Sequence, residues 1–248
     1  MSDSSKDNRI GFLWLGVSLA AGLIVASFIL SGALIKVKNA AQFVTVKGYA
    51  EKSITSDLGV WNGSVSVHGL ELSSSYTKLQ TDVEKLIKFL ESKGIGKDKI
   101  SVGSITTLKM YRYNTQGLST GEIGGYVLEQ KVSVTLNDVK LTQDIANQST
   151  TLIQNGIEIV SQPPQYYYTK LNDLKMVMLG EATKDAKARA EMIAKNSGSQ
   201  VGTLKSAQQG VFQITSTNST DVSDYGEYDL SSIVKTIKAV VTVDFFVK

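Results

Sequence analysis

The residues able to do chemistry in this 248-residue chain are few, and their types exclude more than they allow. There is no cysteine, which removes disulfides, thiol nucleophiles and thiolate metal sites. A single histidine, His68, stands beside Gly69 at the end of a strand-like segment. As a general base it would need a nucleophile and an orienting acid within hydrogen-bond reach. Nothing near it in sequence has that pattern, so His68 is read as a structural residue, at the surface or half-buried. Asp221, Asp224, Glu227 and Asp229 crowd one polar segment and are the candidate calcium ligands. Their spacing does not follow an EF-hand loop, and the Ser, Thr, Asn and Gly around them are those of a linker. The prediction is therefore no metal, no cofactor and no catalytic set. The glycines between Gly117 and Gly125 lack the Gly-Lys-Ser/Thr ending of a phosphate loop.

Tyr166, Tyr167 and Tyr168 follow Pro163 and Pro164 and are the candidates for a subunit contact. Successive strand side chains face opposite ways, so the three cannot share one core, and aromatic residues are enriched at interfaces. The plain alternative is a strand with one tyrosine inward and two at its rim. Net charge is +3, with 26 basic and 23 acidic residues. The basic residues are spread out with no run of interleaved aromatics, which disfavours nucleic acid as a partner.

The elements that must position these groups follow from hydrophobic period. Strand signals open at residues 43–49. A second strand covers residues 58–68, with Leu58 and Val60 on one face and Val65 and Val67 on the other. Asn62-Gly63 stands at the change of face, which predicts a β-bulge. A helix follows, because Leu72, Tyr76, Leu79, Val83, Leu86, Ile87 and Leu90 recur at three- and four-residue spacing, and Gly94 is placed to stop it. A strand over 100–113 leads into a Gly/Ser/Thr-rich loop over 114–125. The strand over 126–136 alternates cleanly, as in an antiparallel sheet with one face in water.

A second helix spans 138–154, ahead of Gly156 and a strand over 157–161. The third and longest helix, 172–196, has the stripe Leu179, Ala182, Ala186, Ala190 and Ile193. It also has the four-apart pairs Asp185/Arg189, Lys187/Glu191 and Glu191/Lys195. Gly198 ends it. Strands over 201–215 and 232–248 close the chain around a polar loop at 216–231. This succession predicts an α+β fold: a mixed, mainly antiparallel sheet with helices packed on one face, forming one domain over residues 43–248.

Ahead of that domain, residues 10–35 carry no charge between Arg9 and Lys36. About 20 apolar residues cross a bilayer as a helix. The run is read as an uncleaved signal anchor, preceded by a short tail (residues 1–9) and followed by a linker (36–42). A cleaved signal peptide, cut after Ser31-Gly32-Ala33, is the alternative, but signal-peptide apolar regions of about 7–15 residues are shorter than this run. Lys6 and Arg9 before the span nearly balance Lys36 and Lys38 after it. The mass of the chain follows the helix and is placed outside the cytoplasm.

Three stretches taken in order carry a resemblance. Val46-Lys47-Gly48-Tyr49-Ala50-Glu51 leads into Asp57-Leu58-Gly59-Val60. Gly125-Tyr126-Val127 opens a strand that ends Val132-Ser133-Val134. The long helix holds Ala182, Asp185, Ala186, Arg189, Ala190, Ile193 and Ala194, then Gly198 and Val201-Gly202. From about residue 43 to 248 the chain resembles the SIMPL domain family, which includes periplasmic immunogenic proteins of bacteria. The resemblance implies an exported bacterial protein, linked to envelope or oxidative stress and able to form homo-oligomers, with no established activity or agreed catalytic residues. Where the family often has Pro, Ser56 precedes Asp57, a change that touches a turn rather than a function.

Two readings of function follow. The first is a membrane-anchored structural or interaction protein of the cell envelope, homo-oligomeric and not an enzyme, because its sheet has edges that need covering or pairing. The alternative is an extracytoplasmic ligand-binding protein or hydrolase with a site of Asp, Glu, Ser and Tyr.

Overall fold

A computed structural model of the chain describes residues 4–40, 42–219 and 225–248, with side chains of the first helix described over 14–34. In chain order the elements are α1 (Ser4–Ala40), β1 (Phe43–Thr55), β2 (Leu58–Gly69), α2 (Leu72–Ser92), β3 (Ile100–Tyr113), β4 (Ser119–Leu136), α3 (Val139–Gln148), β5 (Glu158–Ser161), β6 (Gln165–Tyr167), α4 (Leu171–Asn196), β7 (Val201–Gln209), β8 (Gln213–Ser216), β9 (Glu227–Tyr228) and β10 (Val234–Val247). The architecture is α+β with largely antiparallel pairing, as the alternating patterns require.

The uncharged run falls inside α1. Its segment Trp14–Leu34 has a mean hydropathy of 2.2, long and apolar enough to cross a membrane, and every side chain on it is exposed. A helix apolar on all sides buries none of them against protein here, which suits lipid as its solvent.

By its internal contacts the chain divides into two compact units. A flanking unit collects Met1–Ala50, Leu179–Gly210 and Val240–Lys248, and a central unit holds Glu51–Met178 and Val211–Ala239. In the central unit the strand order is β3-β4-β2-β5, with β6 also on β2. Trp61, Val65 and Val67 of β2 and Leu128, Val132 and Val134 of β4 share one core with Leu79, Val83, Leu86 and Leu90 of α2 and Ile145 of α3. Helices therefore cover one face, as predicted. Each fully buried Leu of that core contributes about 1.5–3 kcal/mol.

Several sequence expectations are corrected in this unit. The bulge at Asn62-Gly63 is absent, since β2 pairs β4 without a break from Gly59↔Leu136 to Gly69↔Tyr126. The apolar parity changes because both faces of β2 are covered at its start: Leu58 and Val60 are half-buried in the stretch paired with β6. Gly63 is glycine because the Trp61 indole occupies the place of its side chain; a Cβ there would lie 2.6 Å from the ring. The expected loop over 114–125 shrinks to 114–118, where Asn114 Oδ1 accepts from the N–H groups of Gln116 and Leu118 and Gly117 has φ +78°. The glycines after it belong to β4, which pairs β3 through register shifts near Tyr111. The second helix starts at its Asp138 cap but is α-helical only to Gln148, and a 3-10 segment (Ser149–Asn155) completes it to Gly156.

In the flanking unit β10 lies between β1 and β7. The strand expected over 201–215 divides into β7 and β8 at residues 210–212. The buried row of α4 is Ala182, Ala186, Ala190 and Ala194, while Ile193, expected inward, is 50% exposed. A strict four-residue alanine row lets the helix backbone come close, and Gly48 of β1 is where it does. A Cβ on Gly48 would stand 2.0 Å from the Ala182 carbonyl oxygen and 2.7 Å from Ala186 Cβ. Gly48→Ala is expected to cost about 1–3 kcal/mol by overpacking. Gly180→Ala on the same helix, where nothing lies within 4 Å, should be neutral or stabilise by up to about 1 kcal/mol. Urea denaturation of the two variants measures both.

Candidate functional site

In the central unit α2 packs on β2 and β4. Beyond them β3 is the outermost strand of its sheet, paired among the described residues only with β4. All of its fourteen residues are exposed except half-buried Ile100 and Ile105. Between the start of α2 and this strand lies an open groove of about 970 Å³. Its walls are Leu70, Leu72, Tyr76, Ile105, Tyr126 and Leu128, with Glu71, Ser73, Thr77 and Thr107 supplying polar atoms. The groove exists because of register: Thr107 faces Leu128 and Ile105 faces Gln130, so the helix-side face of β3 continues the core face of β4. The apolar side chains continue along the hairpin, with Leu108 61%, Tyr113 70% and Leu118 61% exposed.

A second cluster is closed to solvent. Lys235 on β10 is 1% exposed, and its ammonium donates to the Tyr166 carbonyl at 2.5 Å and to the Asp229 carbonyl. Burial pushes its pKa down, and the Asp229 charge opposes that shift. Burial pushes the Asp229 carboxyl up, but hydrogen bonds from Ser232 and Ser231 and the Lys235 charge outweigh it and leave it below the usual range. The hydroxyls of Ser56 and Thr215 are buried in the same unit without a hydrogen-bond partner among the described residues. This cluster fastens β6 and the residues before β10 together, so its chemistry is structural.

The predicted site residues fall as follows. His68 Nε2 lies 3.3 Å from Glu158 Oε1, with both side chains half exposed. The acid partner was invisible in sequence because it depends on β2–β5 pairing, in which Ser66 faces Glu158. Of the three tyrosines, Tyr166 is buried and Tyr167 and Tyr168 are half-buried, which matches the plain alternative of one inward and two at the rim. Burial raises the Tyr166 pKa. The Tyr167 hydroxyl donates to Gln165 Oε1 at 2.9 Å. Among the calcium candidates, Asp221 and Asp224 lie outside the described residues. Glu227 pairs β8 through β9, and one Asp229 carboxylate oxygen accepts from Ser231 N–H and Oγ. Among the described residues no group of three or more His, Asp or Glu could hold a metal.

The flanking unit carries two carboxylates that each accept two hydrogen bonds. Asp185 accepts from the Tyr49 N–H at 2.8 Å and from Arg189 Nε at 2.7 Å, and these bonds, the backbone one first, hold its pKa below the usual range. Asp244 is lowered in the same way by hydrogen bonds from Ser206 and Thr45. The Asp185–Arg189 and Lys187–Glu191 pairs of α4 were legible in the four-residue spacing.

Comparison with known proteins gives three findings. The family model described as SIMPL, protein of unknown function (DUF541), matches residues 44–245. No curated protein sequence matches the chain. Among solved structures, an uncharacterized conserved protein from Listeria innocua is similar at 9% identity and a TM-score of 0.21, over 77% of this chain and 91% of that one, a likeness that carries no argument.

Two predictions follow from the charged groups. A carboxylate whose pKa is lower folded than unfolded adds stability above its unfolded pKa, and that stability is lost as pH falls through the folded value. The melting temperature of the chain should therefore fall on acidification from roughly pH 5 downward. Asp185→Asn combined with Asp244→Asn should flatten that acid limb, lowering the melting temperature at neutral and alkaline pH while changing it least at the acid end. Lys235→Ala strips the donor from two carbonyls and should lower stability by about 2–4 kcal/mol in urea denaturation.

Proposed function

The chain belongs to the SIMPL family, and we propose that it is a non-enzymatic structural protein of the cell envelope. In this reading α1 anchors it in the membrane, the chain from β1 onward lies outside the cytoplasm, and copies assemble with one another. The anchor rests on Trp14–Leu34, whose uncharged side chains find no protein to bury against. Assembly rests on one observation above the others: β3 is long, pairs no strand on its outer side among the described residues, and displays Leu108, Met110, Tyr111 and Tyr113. An exposed, apolar edge of this kind is a template for another strand, and anchoring in a plane raises the effective concentration of copies. The tyrosine segment is a weaker support than the sequence suggested, because Tyr166 is turned inward and only Tyr167 and Tyr168 retain surface.

A second reading, a ligand-binding protein or hydrolase, draws on the groove beside Tyr76. Its walls suit an apolar ligand. Glu71 is the one carboxylate among its lining residues, whereas hydrolysis by a carboxylate pair requires two.

The full-length chain in detergent, followed by light scattering, tests assembly. The expected result is a defined oligomer that Leu108→Lys with Tyr111→Lys converts to monomer at unchanged melting temperature, since both side chains are exposed. A monomer at high concentration, or an oligomer indifferent to these changes, would defeat assembly through β3.

A further inference from the structure

The flanking unit has one rim tied to the start of β1. Val247 N–H donates to the Gln42 carbonyl at 3.1 Å, Gln200 and Lys248 exchange two backbone bonds at 2.9 Å, and Ser199 N–H donates to the Ala194 carbonyl at 2.8 Å. The end of β10, the start of β7 and the end of α4 therefore meet where β1 begins. That rim stands close to the anchor along the chain. Six helical residues separate Leu34 from Ala40, about 9 Å at 1.5 Å each. Two more reach Gln42, at most about 7 Å. The headgroup zone on one side of a bilayer is itself roughly 5–7 Å deep. The rim is thus held within about one Debye length, 8–10 Å, of the headgroups.

What the rim presents is cationic and aromatic. Between residues 36 and 47 the charges are Lys36, Lys38 and Lys47, and between 192 and 206 they are Lys195 and Lys205, with no carboxylate in either stretch. Lys195 lies in the last turn of α4. Lys205 reaches across to Phe43, its Nζ 3.1 Å from the ring centroid, and Phe43 is 43% exposed. Beyond α1 the acidic side chains of the unit are already engaged, Asp244 with Thr45 and Ser206, Asp185 with Arg189, Glu181 with Lys184 and Glu191 with Lys187.

We infer that this rim docks on anionic phospholipid headgroups of the membrane that holds the anchor, with Lys195 and Lys205 on the phosphates and Phe43 at the interface. The inference rests on the anchor reading. Basic side chains near an anionic surface each contribute enough to shift a docked equilibrium severalfold, and aromatic rings settle at the headgroup level. The flanking unit then lies against the bilayer rather than swinging from it.

The absence of cysteine makes a single label possible. The full chain with Thr203→Cys, an exposed position on β7, is spin-labelled and reconstituted into vesicles doped with a nickel-chelating lipid. Strong relaxation of the label by the nickel headgroup is expected in phosphatidylglycerol vesicles. It should be at least about tenfold weaker in phosphatidylcholine vesicles, and equally weak when Lys195→Glu and Lys205→Glu are added. Equal relaxation in the two lipids, or no effect of the lysine changes, overturns the docking. Failure of the chain to float with either vesicle overturns the anchor reading, and the docking with it.

Discussion

Close approach of a helix backbone to a strand backbone sets the geometry of the flanking unit. It is possible only because α4 offers alanine at every fourth position and β1 offers Gly48 in return. Alanine contributes little apolar area, so packing of this kind stabilises through proximity and dispersion rather than bulk. The electrostatics then follow from the distance. The Tyr49 N–H, one residue from Gly48, reaches the Asp185 carboxylate on the neighbouring turn of α4. A larger residue at either contact would push the helix out and leave that N–H without its acceptor.

The central unit is organised on the opposite principle, with volume in place of proximity. Trp61 is fully buried, with Gly63 leaving room for its ring, and its Nε1 donates to Ser161 Oγ at 2.9 Å, which in turn donates to the Ala146 carbonyl at 2.8 Å. One side chain thus joins β2, β5 and α3. With this mass concentrated over β2 and β4, β3 is left beyond the cover of α2, and its apolar face stays open. The groove and the free edge are consequences of where the helices end.

Much of this was legible in the sequence, and what was not has identifiable causes. The α2 period, the start of the second helix at 138 and the stops at Gly94, Gly156 and Gly198 all stand as read, because they depend on local chemistry. Residues 114–125 were misread because their Gly and Ser composition resembles a loop, while pairing with β3 makes most of it strand. Ile193 was placed inward by its apolar character, whereas the four-residue alanine row rotates it outward. Neither the His68–Glu158 pair nor the buried Lys235 clasp could be seen, since each depends on residues that only tertiary pairing brings together. The tyrosine run pointed to a surface, and a lysine two positions before the alternating apolar face that opens at Ile237 gave no sign of being buried.

The flanking unit is assembled from three stretches far apart in the chain, and its last strand pairs beside its first. Closing so long a loop must precede any reward from the contacts it brings. During synthesis β1 emerges early, and its neighbour β10 emerges late. Until then Gly48 has no helix against it and the edges of β1 are open. The central unit, contiguous from Glu51 to Met178 over most of its length, can collapse in the meantime. Order of appearance thus separates the two units in time, and the unit that holds the first strand is the one that must wait.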